Sequence, residues 1–508
     1  MHDIQQTLYS FFKSYPERPI VIAYSGGIDS QVLLHALAQL KNLDSKVQSP
    51  VQSLSQPFSQ RLTQDITVCH INHGLSPQAT KWQQLAQQQC DQLSLSLTVC
   101  QVEVNPKAQH SLEALARDAR YQALYQVCPD NALIVTGHHS DDQSETFLLA
   151  LKRGSGLKGL SAMAEISPLS PHFSRAKPGT NPISENDTDS LQPKKLHVVR
   201  PLLSLPRSSI ESYAKEHALS WVEDESNSDV SFDRNFIRHQ VMPLLKARWP
   251  SILNTISRSS EHCGEGQALL TELAEQDLLS CLTLTNIKGT KDSKGTEASE
   301  EGSQALSTEF LMGLSKARFN NLLRHFLAVN HCLMPSSQQL QQIYLQLNAA
   351  ADKTPAVKVG SHWLRRYQQH LYLTPDYQDV SSWQETSSFD TLRLNGKVVS
   401  ELPDQLGHIT LDLQQATNTL NIFYNNHCQQ VKAPLSSQQV MIRYQHDNPH
   451  CLPDFRQRKR PLKKVLQELS IAPWLRQRIA YLYYDQALVC AVGYFICKPY
   501  LIASSAKK

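Results

Sequence analysis

The chain has 508 residues, 41% hydrophobic and 19% charged, with a formal net charge of only +3. That length exceeds one ordinary core, so two to four domains are expected, and the near-neutral balance excludes a globally basic nucleic-acid binder, leaving any such surface to a local patch. No apolar run is long enough to span a bilayer, residues 1–19 lack the apolar stretch of a secretory signal, and the 11 cysteines are scattered without a Cys-x-x-Cys. The expectation is a cytoplasmic protein with reduced thiols, no membrane partner and no zinc finger.

Residues 3–15 read as a short helix. Val21-Ile22-Ala23-Tyr24 reads as a buried strand that stops in Ser25-Gly26-Gly27-Ile28-Asp29-Ser30, after which 31–40 continues at helical spacing with Leu33, Leu37 and Leu40 on one face. Strand, glycine turn and helix present backbone N–H groups to an anion. Gly26 and Gly27 admit close approach, Ser25 and Ser30 add hydroxyls, and Asp29 is out of place beside phosphate unless it serves a metal ion that travels with a nucleotide. An ordinary strand–turn–helix corner explains the same letters without a ligand. The Walker pattern is absent.

Residues 44–64 form a Ser/Gln-rich loop insertion. A second strand, 66–71, ends in Asn72-His73-Gly74-Leu75, followed by a helix over 81–93, a strand over 95–104 and a helix over 111–125. On the polar face of that helix Glu113, Arg117 and Arg120 follow at helical steps, which a solvated ion-pair face explains by itself. The apolar strand 132–136 leads into Gly137-His138-His139-Ser140-Asp141-Asp142-Gln143-Ser144-Glu145-Thr146 and a helix through 152, with Ser140 and Gln143 fitting a capping box. The helix dipole accounts for one acid there. It does not account for two histidines and three carboxylates at the C-terminal end of a strand, where open parallel sheets bind ligands. The Gly154-x-Gly156-x-x-Gly159 pattern follows a helix, not a strand, and so is not a dinucleotide site.

A Pro/Ser/Asn-rich insertion covers 167–195. Ser208 and Glu211 form a second capping box, and the run 224–243 leads into helices. After a linker at 288–303 come helices at 315–327 and 337–349, then strands over 357–373. The fold class expected is α/β: a doubly wound parallel-sheet domain over 1–215, a mainly helical domain over 216–375, and a small α+β domain over 384–508.

Several motifs stand in one order: SGGIDS at 25–30, HINHGL at 70–75, LEALARDARY at 112–121, TGHHSDDQSET at 136–146, LKRGSGLKGL at 151–160, RPLL at 200–203, DESNSDVSFDRNFIRHQVMP at 224–243 and, within 456–499, PLKK and PWLR. The set resembles the bacterial tRNA(Ile)-lysidine synthases of the PP-loop ATP pyrophosphatase superfamily. The resemblance implies an ATP-dependent carbon–nitrogen ligase whose partners are a tRNA(Ile) with a CAU anticodon and free L-lysine, with a homodimer left open. ATP adenylates O2 of the wobble cytidine, position 34, and releases pyrophosphate. The lysine ε-amine then attacks C2 and expels AMP.

Under that chemistry Ser25, Gly26, Gly27, Ile28, Asp29 and Ser30 bind ATP, and Asp29 holds Mg²⁺. Asp141, Asp142 and Glu145 join Asp29 as catalytic acids, which can bind an ammonium and take its proton. His73, Arg117, Arg120, Arg200, Arg234 and Arg238 are candidates for phosphate or substrate contacts. The run Arg456, Arg458, Lys459, Arg460, Lys463 and Lys464, followed by Trp474, is the candidate tRNA grip. A PP-loop tRNA sulfur transferase, or another AMP-forming ligase, is the alternative. The lack of paired cysteines opposes the first, and no glutaminase domain precedes the loop to support an amidotransferase. An inactive RNA-binding scaffold fits poorly with the intact loop and acids.

Overall fold

A computed structural model describes residues 3–41, 62–74, 78–104, 112–169, 194–223, 228–284, 304–347, 355–425 and 427–502. Most of the stretches expected as insertions at 44–64 and 167–195, all of the linker 288–303, Leu75, residues 224–227 and the Glu113 side chain lie outside the described residues. The chain forms two compact units, Met1–Leu269 and Leu270–Lys508. Among the described residues no helix is long and apolar enough to cross a membrane.

The first unit is built on six strands, β1 (Ile20–Tyr24), β2 (Ile66–Asn72), β3 (Ser96–Gln101), β4 (Leu133–Val135), β5 (Ile166–Leu169) and β6 (Leu196–Val199), in the order β3-β2-β1-β4-β6-β5. All neighbours are parallel except β5 against β6. Alternation along β1 feeds two layers. Ile20, Ile22 and Tyr24 join a core with helices α1 (Asp3–Phe12), α2 (Ile28–Lys41), α3 (Ala79–Gln92) and α7 (Arg207–Glu216). Val21 and Ala23 join the opposite core with α4 (Leu112–Val127). Between these helices in sequence stand α5 (Ser140–Lys152) and α6 (Leu157–Leu160). β1 lies between β2 and β4, so the order reverses beside it, and the crevice at the C-terminal ends of β1 and β4 is the switch point of the sheet.

Helix α2 does not have the single apolar face its leucine spacing suggests. Ten of its 14 residues are buried, Gln31 among them. Gln31 is tolerated because it accepts from Tyr24 Oη at 2.7 Å and donates to Gln89 at 2.9 Å. Val32, Leu33, Leu34, Leu37 and Leu40 are fully buried, each stabilising the unit by about 1.5–3 kcal/mol, which anchors the loop that precedes the helix.

After α7 the chain runs into α8 (Asp233–Phe236), a π turn (Ile237–Val241) and α9 (Met242–Arg248). Pro243 has no N–H to continue the ladder, and the widened turn ends just before it. Helix α10 (Ile252–Cys281) follows.

In the second unit the region expected to be mainly helical also carries a five-stranded antiparallel sheet, which includes the hairpin of His362–Tyr367 and His370–Pro375. The helices Lys316–Val329 and Ser337–Leu347 pack on it. Two further sheets, of five and four strands, enclose the core of the segment from Val380 onward.

Candidate active site

The loop between β1 and α2 is held by its own serines. Ser30 Oγ accepts the N–H of Ser25 at 3.3 Å and of Gly26 at 3.1 Å, and donates to Gly27 O at 2.9 Å. Ser25 Oγ donates to it at 3.2 Å. Gly26 has φ +89°, a conformation that disfavours any side chain. Two of the expected anion-binding amides are therefore spent inside the loop. Helix geometry leaves the N–H groups of the first turn, Ile28 to Ser30, without intrahelical acceptors. Gly137, at the end of β4, sets the other wall. A Cβ there would lie 2.8 Å from the Asp29 carbonyl oxygen, so only glycine lets the two loops approach.

Helix α5 faces this loop, but its cap is shifted one residue from expectation. His139 is the N-cap, and its N–H donates to Asp142 Oδ2 at 3.2 Å. Ser140 is already helical, and Gln143 instead holds Met163 and Ser260. The second expected box also fails. The α7 N-terminus is capped from outside, Asp141 Oδ2 accepting Arg207 N–H at 2.9 Å, while Glu211 pairs with Arg207 Nε at 2.8 Å.

The three acids of α5 meet cations from the α8–α9 segment. Glu145, 2% exposed, takes Arg238 Nε at 2.6 Å, Arg238 Nη2 at 2.9 Å and Arg234 Nε at 2.9 Å. Asp142 takes Arg238 Nη2 at 3.1 Å. Asp141 pairs with Lys246. The π turn spaces Arg234 and Arg238 so that both reach α5. Burial penalises ionised Asp141 and Asp142, yet their partners outweigh it and hold both carboxyls below the usual range: Lys246 and the Arg207 N–H for Asp141; His139, His138 and the arginines for Asp142. Asp29 moves the other way, raised chiefly by burial against the opposing effect of His139.

His139 is 1% exposed, with Nε2 3.5 Å from Asp29 Oδ1 and 3.4 Å from Asp142 Oδ2, and Nδ1 3.8 Å from Asp141 Oδ2. Neither ring nitrogen makes a hydrogen bond; the same holds for the buried Asp29 Oδ1 and Arg234 Nη2. His138 donates to or accepts from Thr136 Oγ1 at 2.8 Å, and burial pushes its pKa down to about 4, so it is neutral at pH 7.

The remaining predicted residues lie toward β2, α4 and β6, with Arg117 and Arg200 close enough to act on His138. Arg120 donates to His73 Nε2 at 3.4 Å, and burial together with Arg120 lowers His73 to about 4, keeping that nitrogen an acceptor. Arg117 lies over the Tyr121 ring at 5.5 Å. Arg200 is buried, and its Nη1 donates to Ala164 O at 2.7 Å and Ser167 Oγ at 3.2 Å, tying β6 to β5 and the residues before it, while its Nε makes no hydrogen bond. Asp29, Asp141, Asp142, Glu145, Arg234 and Arg238 are thus brought together. His73, Arg117 and Arg120 lie beside β2 and α4, and Arg200 follows β6.

Residues 1–245 match the PP-loop domain, 306–372 the TilS substrate binding domain and 440–508 the TilS substrate C-terminal domain. The tRNA(Ile)-lysidine synthase of Vibrio cholerae is 34% identical over 98% of this chain and 94% of its own length. The chain belongs to the tRNA(Ile)-lysidine synthase family. The synthases of Vibrio atlanticus and Pectobacterium atrosepticum are each 36% identical, over 95% and 94% of this chain and 93% and 91% of theirs. As a tRNA(Ile)-lysidine synthase family member the chain is an ATP-using ligase that acts on tRNA(Ile).

Within this family member the sequence pattern missed Lys246, Arg207 and Gly137. Gly137 carried a faint signal, as a glycine directly after a strand; the other two carried none. At the other end of the chain Arg458, Lys459, Lys463 and Lys464 are exposed, whereas Arg456 and Arg460 both pair with Glu468. Trp474 is not a free stacking surface. It is 8% exposed and packs on Tyr367 and Tyr372 at ring distances of 5.9 and 5.6 Å, with Arg365 over it.

Proposed function

We propose that the chain joins free lysine to C2 of cytidine 34 in the CAU-anticodon tRNA(Ile), through an O2-adenylated intermediate, releasing pyrophosphate and AMP in the cytoplasm. The observation that carries this reading is the set of buried, hydrogen-bond-free polar atoms where the PP-loop meets α5: Asp29 Oδ1, both His139 ring nitrogens and Arg234 Nη2. Such atoms cost free energy unless a ligand completes them.

In the first step the α2 first-turn amides lie where the leaving pyrophosphate gains charge. Asp142 and Glu145 orient Arg234 and Arg238, whose guanidinium forks suit phosphate oxygens. Asp29 fits one ligand of Mg²⁺, since its Oδ1, which makes no hydrogen bond, is a hard oxygen and Mg²⁺ takes its other positions from phosphates and water. Bound there, the ion would neutralise phosphate charge. In the second step the ε-ammonium must lose a proton. Asp141, which already faces an ammonium in Lys246, is the acid suited to bind it until that proton is lost. Arg117, Arg120 and Arg200 offer cationic contacts to the nucleotide or to RNA, and neutral His73 orients Arg120. Catalysis is assigned to the PP-loop domain, whose match runs through residue 245 and so includes Arg234 and Arg238, and tRNA binding to the region beyond it, in keeping with the substrate-domain matches.

The test supplies ATP, lysine and transcripts of tRNA(Ile) with CAU or GAU anticodons. AMP formation should require lysine and the CAU transcript, while pyrophosphate release should need the transcript but not lysine. AMP formation indifferent to lysine would remove the ligase reading.

A further inference from the structure

The hairpin of His362–Tyr367 and His370–Pro375 has two faces, and one of them belongs to its own core. Leu364, Leu371 and Leu373 join the cluster built with the helices Lys316–Val329 and Ser337–Leu347. Side chains alternate along a strand, so Trp363, Arg365 and Tyr367, with Thr374 and Tyr372 across the ladder, occupy the opposite face. Ala305, on the adjoining strand, pairs with Tyr372, and its single methyl leaves room beside that ring.

That second face is covered by the C-terminal domain. Trp474, in the short helix Pro473–Arg476, is 8% exposed and forms a small buried cluster with Ala472, Ala305 and Tyr372. The cluster is distinct from the helix-backed core of the hairpin and from the C-terminal core around Leu462, Val465 and Leu466. A small apolar patch between two larger cores is the pattern of a docking contact between domains. The Arg365 guanidinium lies 5.7 Å from the Trp474 ring and 5.2 Å from the Trp363 ring, and Arg365 Nε donates to Thr374 Oγ1 at 2.9 Å, which fixes it there. Trp474 Nε1 is buried without a hydrogen bond, so packing and the cation hold the indole. Arg478 supplies a second pin: its guanidinium lies over Tyr377 at 4.3 Å, and its Nη1 donates to Asp404 Oδ2 at 2.6 Å.

The exposed Arg458, Lys459, Lys463 and Lys464 belong to the same domain as Trp474, so this contact sets where they stand relative to the substrate-binding domain. A tRNA held at two places binds more tightly when both places are already in register, because the second contact then loses no further orientational freedom. We propose that Trp474, seated against Arg365 and Tyr372, is an interdomain joint that presets the spacing of the two tRNA-binding domains. It is a positioning residue and touches no RNA itself. The inference rests on the assignment of tRNA binding to both substrate domains.

The experiment measures CAU tRNA(Ile) binding by fluorescence anisotropy across a salt series. It uses the full chain, Trp474→Ala, Trp474→Phe, Arg365→Ala and, as a benchmark, Arg458→Ala/Lys459→Ala, each checked by thermal melting. Loosening a joint leaves every phosphate contact available. Trp474→Ala and Arg365→Ala should therefore bind about ten-fold more weakly, a part of the roughly 10²–10⁴ that linked sites supply, with the slope of log K against log salt unchanged. Trp474→Phe keeps a ring and removes the unpaired N–H, so it should stay near the wild type. Arg365→Ala alters the joint from the substrate-binding side and leaves the C-terminal core intact, so it carries the test if Trp474→Ala melts early. Unchanged affinity in Arg365→Ala overturns the proposal whatever Trp474→Ala does. A loss of affinity with the slope flattened as in the benchmark also overturns it, because phosphate contacts would then have gone, through an unfolded grip or a residue that itself touches RNA. Equal slopes for wild type and the benchmark would instead remove the C-terminal grip, and the joint with it, before any joint variant is compared.

Discussion

Asp141 Oδ2 accepts the backbone N–H of Arg207 at 2.9 Å, so the first turn of α5 caps the N-terminus of α7. The same carboxylate receives Lys246 from α9. One side chain thereby joins three helices around the switch point of the sheet, and a catalytic candidate is also a structural joint.

Separating these roles is possible with two variants. Asp141→Ala should destabilise the protein by about 1 kcal/mol from the lost cap, with little more from the ion pair because Lys246 is substantially exposed. Asp141→Asn can still accept the Arg207 N–H and should cost less. The pH dependence has a definite sign. The folded carboxyl is held below its unfolded value of about 3.9, so its contribution is present above pH ~4 and is lost as pH falls through the lower, folded value. Denaturant melts of wild type and Asp141→Asn should differ at pH 7 and converge as pH falls through the lower, folded value; a constant gap would show that the charge does not matter.

Glu145→Gln removes the charge that two guanidiniums share. Breaking such a pair costs about 3–5 kcal/mol when fully buried, and Arg234 and Arg238 are about a quarter exposed, so the low end applies. If these arginines serve phosphate, tRNA-dependent pyrophosphate release should fall before the lysine KM rises. A variant impaired only in its lysine requirement would return Glu145 to direct lysine contact.

Asp29→Asn tests the loop. Asp29 Oδ1 makes no hydrogen bond, so melting should be nearly unchanged. Pyrophosphate release should drop by two orders of magnitude or more, about 2.7 kcal/mol in the barrier. Near-normal release by the folded variant would refute a metal or phosphate role.

Gly137→Ala places a Cβ 2.8 Å from the Asp29 carbonyl oxygen and 2.9 Å from its carbonyl carbon. Backbone cannot swing aside as a side-chain tip does, so β4 and α2 must separate, at a cost of about 1–3 kcal/mol. ATP binding, read by calorimetry, should weaken more than the melting temperature falls. Unaltered ATP affinity would mean that the loop spacing is irrelevant to the nucleotide.

What the sequence made legible was local. The glycine turn, the acids after β4 and the arginines of 234–238 each lie on a spacing that strand or helix geometry converts into a place. What it hid was pairing across distance. Asp141 caps a helix 66 residues away, and Gly137 matters because of Asp29. The capping boxes failed for two reasons: on α5 the cap moved one residue, to His139 and Asp142, and on α7 the distant Asp141 took the helix end. Nor does local sequence reveal that Glu468 neutralises part of the basic run, or that Trp474 is taken by Tyr367 and Tyr372.

That neutralisation sharpens the expectation for the C-terminal region. Arg456 and Arg460 share Glu468, whereas Arg458 and Lys459 are exposed and, among the described residues, show no ion pair. A cation that must first leave a carboxylate gains less from a phosphate than one that leaves only water. Arg458→Ala with Lys459→Ala should therefore weaken tRNA binding more than Arg456→Ala with Arg460→Ala. The core of the domain lies in Leu462, Val465, Leu466 and the strands they pack on, so neither pair should unfold it. Salt supplies the decisive readout. Each phosphate contact contributes about 0.7–0.9 to the slope of log K against log salt, so losing Arg458 and Lys459 should flatten the slope by roughly 1.4–1.8 units. The measurement is tRNA(Ile) binding by both double variants across a salt series. Equal slopes for wild type and Arg458→Ala/Lys459→Ala would show that this run is a solvated face and that the tRNA is held elsewhere.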